Sequence, residues 1–204
     1  MAATPVPAEA DKHDPHHPDD EGIGRDVRNL HEIAEAESGW DYTPRFNRQC
    51  LNYLPVDLNA LLYKYEMDFA AAAKLLSDKS EVSHWTQAAH TRRDTMFELM
   101  WDAGRGLFYD YNYVKKSRGA VASLAAYYPM WAGLASEKQA ARLVNSLRKF
   151  EKRGGLSTTD SPQVGSLVPG AVPTQWAYPN GWAPLHFIVV RGLQRYGYHD
   201  DARR

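Results

Sequence analysis

Asp41 stands in the segment ESGWDYTPRF, residues 37–46, between Trp40 and Tyr42 and shortly before Arg45. Aromatic neighbours strip water from a carboxyl group, which raises its pKa and suits it to donate a proton. Arg45 pulls the other way unless its guanidinium points at a substrate instead. The same aspartate has a plainer reading, as a residue capping free backbone groups at the end of a helix. A second string, QWAYPNGWAP at 175–184, offers the indoles Trp176 and Trp182, the amides Gln175 and Asn180, and stiff Pro/Gly turns. Such a set suits a neutral polyol, whose CH faces stack on indoles while its hydroxyls pair with amides. Aromatic packing within a turn accounts for the string equally well.

Other reactive side chains have simpler roles. Asp57 and Asn59, in PVDLNALL at 55–62, read as helix-cap residues. Cys50 has no histidine near it in sequence to activate it and reads as a small core residue. Glu151 and Asp160 read as surface carboxylates. His13, His16 and His17 lie in a stretch without a structured frame, where solvation is expected rather than metal binding.

These strings must be held by helices. Residues 1–21 lack apolar periodicity and read as a disordered leader, without the basic and apolar regions of a signal peptide. Val27, Leu30, Ile33 and Ala34 follow a helical period to about 37, where Ser38 and Gly39 end it. A second helix, capped by Asp57, carries the stripe Leu58, Leu61, Leu62, Tyr65, Phe69, Ala72 and Leu76. A third covers about 82–103 with Trp85, Ala88, Ala89, Met96, Leu99 and Met100, and Gly104 at C′. A fourth spans about 119–134. A fifth opens on a capping box, Ser136 to Gln139, and runs through Leu143, Leu147 and Phe150. A sixth starts near Trp182, with Pro184 in its first turn, and ends at Gly197. GLFYDYNYV at 106–114 alternates like a short hairpin, and the irregular loop 154–178 is longer than a connector needs. The predicted class is all-α, with another helix expected to begin where the chain ends at Arg204.

The bulk numbers narrow the function. The 204 residues carry 24 basic and 25 acidic side chains, a balance that gives no electrostatic case for nucleic acid or an anionic membrane. No run reaches the ~18 apolar residues that a bilayer span needs. A single cysteine rules out an internal disulfide framework. The 12 Tyr, 6 Trp and 6 Phe are bunched in the loops. Carbohydrate is one natural partner for them, and a helical core built of large residues is another.

ESGWDYTPRF, PVDLNALLYKYE, WDAGRGLFYDYNY, YYPMWAGLAS, GGLSTT and QWAYPNGWAPLHF resemble consecutive blocks of the trehalase family, in order, across about residues 22–201. The resemblance implies a partial (α/α)6 toroid of the six-hairpin glycosidase type, about half of the barrel, as one domain over 22–204. It implies inverting hydrolysis of α,α-trehalose to two glucose molecules, with no metal or organic cofactor. By the same resemblance Asp41 matches the general acid, and Gly39 and Trp40 match a pocket wall. Trp176 matches the tryptophan against the sugar, and Gln175, Asn180 and Trp182 match the rest of that block. Arg45 joins this set as a substrate-binding candidate. Two departures stand out. Ala177 occupies a position that is usually aspartate in the family, and no carboxylate in the chain matches the family's general base. The expectations are therefore a disaccharide ligand, a cytoplasmic protein, self-association through open barrel edges, and no hydrolysis by this chain alone. The rivals are a related glucosidase acting on another short glucoside, favoured by Ala177, and a non-catalytic or vestigial sugar-binding protein, favoured by the missing base.

Overall fold

The computed structural model describes residues 30–162 and 174–204. The expected leader, with His13, His16 and His17, lies outside the described residues, as does Val27 of the expected first helix. What is described of that helix, α1, covers residues 30–37. Gly39 ends it in a left-handed conformation, φ +77°, which a residue with a Cβ adopts only under strain.

The two long helices are α2 (Val56–Leu75) and α3 (Lys79–Leu99). Only three residues separate them, so they pack as neighbours in a helical hairpin. Asp78 starts α3 by accepting the amide N–H groups of Ser80 and Glu81 at 3.1 Å each. Chain reversal at Ser77–Asp78 therefore carries its own cap, a signal the sequence reading passed over in starting this helix near 82. Asp57 is not the cap of α2. Pro55 holds that position, and Asp57 lies in the first turn with its side chain buried.

The apolar stripe expected on α2 also lies differently. Val56, Ala60, Tyr63, Ala70 and Ala73 face the core, whereas Leu58, Tyr65, Phe69 and Leu76 are about half exposed or more. Small residues win the inner face because they let α2 approach α3 and its other neighbours closely.

The third helix stops at Met100, and Gly104 belongs to a hairpin turn rather than to C′. Trp101–Asp102 (β2) pairs antiparallel with Leu107–Phe108 (β3), and the Asp102 carboxylate accepts the Arg105 amide at 2.9 Å inside the turn. The expected hairpin at 106–114 is thus shared between two small sheets. Tyr111–Asn112 (β4) sits between Tyr53–Leu54 (β1) and Ser117–Arg118 (β5), with Tyr53 opposite Asn112 and Tyr111 opposite Arg118. Each described strand has two residues, so helices still set the architecture.

The fourth helix is shorter than expected. A buried 3₁₀ turn at Leu124–Tyr127 leads into α4 (Tyr128–Ala132), which ends on Gly133. Alpha helix α5 (Glu137–Ser146) has the predicted capping box, with the Ser136 hydroxyl accepting from Gln139 N–H and the Gln139 side chain accepting from Ser136 N–H. A 3₁₀ turn at Leu147–Lys149 extends it, and a short hairpin follows, Glu151–Lys152 (β6) with Gly155–Leu156 (β7). The helix α6 (Ala183–Arg195) begins with Pro184 in its first turn, and α7 (His199–Arg203) follows the turn at Gly197. Leu124, Met130, Leu143, Phe150, Leu185 and Leu193 join the helices in one apolar core.

Candidate active site

Residues 38–46 and 174–182, far apart in sequence, lie side by side. The Gln175 amide donates to the Tyr42 carbonyl at 3.0 Å, and the Thr43 hydroxyl donates to the Trp176 carbonyl at 3.3 Å. These two bonds tie the aspartate segment to the aromatic loop.

Asp41 is half-buried at the wall of a cavity of about 560 Å³ that is also lined by Glu32, Glu35, Tyr42, Thr43, Arg48 and Thr174. That volume is within the range of small-molecule sites. The exposed Arg48 pairs with Glu32 across its rim. Glu35, one turn before the end of α1, is the buried carboxyl of the cavity, and burial pushes its pKa up. Its Oε1 accepts the Thr43 amide at 3.0 Å, and its backbone carbonyl accepts the Ser38 hydroxyl at 2.6 Å. One residue therefore holds both ends of the turn that presents Asp41. Sequence reasoning missed it because Glu32, Glu35 and Glu37 look alike as a solvated helix face.

The three tryptophans form a column. Trp40 is 3% exposed and meets Trp176 at 5.4 Å between ring centres, tilted 49°. Trp176 stacks on Trp182 at 4.7 Å and 13°. Behind Trp40 lies Arg45, its guanidinium carbon 4.2 Å from the ring centre, a cation–π contact. Trp40 is thus a covered layer beneath Trp176 rather than an open platform.

Arg45 does not face the cavity. Its side chain is fully buried and grips two carboxylates at once: Asp110 at 2.9 and 2.6 Å and Asp57 at 2.9 and 2.8 Å. Burial opposes charge on the guanidinium, but Asp110 and Asp57 outweigh it and hold the arginine firmly protonated. Burial likewise opposes charge on Asp57, and Arg45 reverses that too, keeping this carboxyl below its usual range. Two carboxylates on one guanidinium leave one negative charge over. Asp110 Oδ1 also accepts the Val56 amide at 2.9 Å, so the positive N-terminal end of α2 offsets it. Asp110 comes from the turn before β4 and has no sequence signal linking it to Arg45.

The aromatic loop is braced from within. The Gln175 carbonyl accepts the Asn180 side-chain amide at 2.9 Å and the Trp182 indole N–H at 3.3 Å. Asn180 and Trp182 therefore spend these donors on the loop, while the exposed side-chain amide of Gln175 makes no hydrogen bond among the described residues. Thr158 donates its amide and hydroxyl to the Asn180 carbonyl at 2.8 and 2.7 Å. His186 completes the frame: Nε2 accepts the Leu156 amide at 2.8 Å and Nδ1 meets the Trp182 carbonyl at 2.9 Å. A carbonyl only accepts, so Nδ1 bears the proton. Gly39 is exposed at the turn before Trp40, and Ala177 is buried at 2% exposure, its methyl filling the loop interior. Among the described residues no group of three or more His, Cys, Asp or Glu is arranged to hold a metal.

The family model described as Trehalase matches residues 16–204. The chain belongs to the trehalase family. The cytosolic neutral trehalase of Kluyveromyces lactis is 38% identical over 88% of this chain and 25% of its own length. That of Beauveria bassiana is 36% identical over 86% of this chain and 26% of its own. Of solved structures, the neutral trehalase of Saccharomyces cerevisiae, 35% identical, superposes with a TM-score of 0.79 over 87% of this chain and 34% of that one. The GH63 mannosylglycerate hydrolase of Thermus thermophilus, 22% identical, matches at 0.60 over 74% of this chain and shares the fold. This member of the trehalase family therefore builds part of an (α/α)6 toroid, as these neighbours do, and spans about a quarter of the length of the curated relatives.

Proposed function

We propose that this segment supplies the proton donor and part of the sugar-binding wall of an inverting α,α-trehalose hydrolase. The observation that carries the reading is the junction of the Asp41 turn, which lines a 560 Å³ cavity, with the loop bearing the Trp176–Trp182 stack, whose rings lie outside that cavity's lining. Asp41, protonated, gives its proton to the glycosidic oxygen as the C1–O bond breaks. Water attacks C1 from the opposite face and loses its own proton to a base, the two carboxyl groups standing about 6.5–9.5 Å apart in such enzymes. Glu35 is a poor fit for that base, because its carboxyl is buried and bound to the Thr43 amide. The half-buried faces of Trp176 and Trp182 and the exposed side-chain amide of Gln175 suit a glucose ring, with Trp40 and Gly39 shaping the turn beneath. Asn180 braces this wall, and Arg45 acts from below it as the anchor of Trp40.

As a separate polypeptide the 204-residue chain is proposed to release no glucose from trehalose, because Glu35 is buried and engaged and the family resemblance assigns the base to none of the chain's carboxylates. The cytosolic names of its relatives support a cytoplasmic location, and no described helix is long and apolar enough to cross a membrane. Ala177 favours one second reading, a glucosidase of the same toroid acting on another short glucoside, because a subsite carboxylate is replaced by a buried methyl.

Proton NMR of the first turnovers tests the proposal, using a full-length neutral trehalase engineered to carry this segment in place of its own. Inversion at one carbon of α,α-trehalose releases α- and β-glucose in equal amounts. Release of α-glucose alone, or turnover of other glucosides but not trehalose, would contradict it.

A further inference from the structure

A second cavity, of about 410 Å³, lies where α2, α4 and α6 meet, and Lys64, Trp131, Arg191, Gln194 and Arg195 line it. Three cations and one tryptophan share this lining, in a chain whose net charge is only −1. Lys64 is paired with Asp68, at 2.6 Å to each oxygen. Arg191 bonds only to the neutral amide of Gln194, at 3.1 Å, and Arg195 has no ion pair among the described residues. Among the described residues neither arginine is paired with a carboxylate.

The backbone is shaped to bring these groups together. Gly192 lets α6 approach α4: a Cβ there would stand 3.0 Å from Met130 Cβ and 3.1 Å from the Trp131 amide nitrogen. Gly133, at φ +76°, makes room for Arg195, whose guanidinium carbon is 2.6 Å from where a Cβ at that glycine would be. Arg195 is thereby laid against the end of α4 beside Trp131. The carbonyl end of α6 favours a cation in its last turn, which explains Arg195 as a surface charge. It does not explain Arg191 one turn earlier, or Lys64 from another helix.

We propose that this cavity binds a small phosphate-bearing anion, the arginine forks and Lys64 taking the phosphate and Trp131 lying against an attached ring. Paired guanidiniums match phosphate oxygens in a way that scattered lysines do not, and the volume suits a sugar phosphate rather than a macromolecule. The site lies apart from the Asp41 cavity and shares none of its lining residues.

Isothermal titration of the 204-residue chain with inorganic phosphate, glucose 6-phosphate, glucose and chloride tests this. The expected result is 1:1 binding of both phosphates, tighter for the sugar phosphate, and weakened about tenfold or more by Arg191→Ala or Arg195→Ala. Trp131→Phe is expected to weaken glucose 6-phosphate and leave inorganic phosphate unchanged, and circular dichroism checks that each variant is folded. Binding of inorganic phosphate alone would retain the anion site and overturn the role of Trp131. No saturable phosphate binding, or binding unchanged in the arginine variants or matched by chloride, would overturn the site itself.

Discussion

Arg45 and Asp110, 65 residues apart in the chain, share two hydrogen bonds of 2.9 and 2.6 Å in the protein interior. Asp57 completes the group, and the Trp40 ring lies against the guanidinium. The turn bearing Asp41 is therefore fastened to α2 and to the sheet by charge, and to the tryptophan column by stacking. Removing one member of a buried ion pair strands its partners, at a cost of about 3–5 kcal/mol. Arg45→Met is expected to lower unfolding free energy by that order in urea titrations followed by far-ultraviolet circular dichroism. A loss below about 1 kcal/mol would show that the cluster does not hold the turn.

Glu35 gives the turn a pH dependence of known sign. Burial raises its carboxyl pKa in the folded state, so the folded protein binds this proton more tightly than the unfolded one does. Its contribution is most favourable below the unfolded value, about 4.3, and is lost as pH rises through the folded value. Glu32, Asp41 and Arg48 face the same carboxyl, the two acids raising its pKa and the arginine lowering it. Glutamine retains an acceptor for the Thr43 amide without the charge. Glu35→Gln is therefore expected to gain stability relative to the native chain at pH 7 and to lose that advantage toward pH 4. Asp57, held low by Arg45, acts in the opposite sense, its contribution lost as pH falls through its folded value. Equal stability differences for Glu35→Gln at pH 4 and pH 7 would refute the assignment.

Leu58, Tyr65, Phe69 and Leu76 form an exposed apolar line along α2, with Phe69 against Trp85 of α3 at 4.9 Å. Contiguous apolar surface of this kind drives association. The 204-residue chain is expected to self-associate in static light scattering, and Leu58→Gln with Phe69→Gln to shift it toward monomer. A monodisperse native chain with a cooperative melt would contradict this.

Much of this arrangement was legible in the residues. The capping box at Ser136 and Gln139, Pro184 opening α6 and Gly39 closing α1 are local chemistry, and the structure has each as read. The strings around Asp41 and Trp176 stood out because a carboxyl group lies among aromatics in the first and amides among aromatics in the second, and the fold sets the two strings side by side. The Arg45 cluster was hidden for the opposite reason. Each member has an ordinary local explanation, and only the fold brings residue 110 to residues 45 and 57. Stripe reading failed on α2 because alanines, not leucines, face its close neighbours.

The proposed proton-donor role of Asp41 is tested most directly by comparing two substrates in a full-length neutral trehalase engineered to carry this segment in place of its own. Trehalose needs its leaving oxygen protonated, whereas α-glucosyl fluoride loses fluoride without that help. Asp41→Asn is expected to lower kcat on trehalose by about 10²–10⁴-fold, while hydrolysis of α-glucosyl fluoride stays within a few fold of the native rate. Near-native turnover of trehalose, or an equal loss on both substrates, would contradict the assignment of Asp41 as general acid.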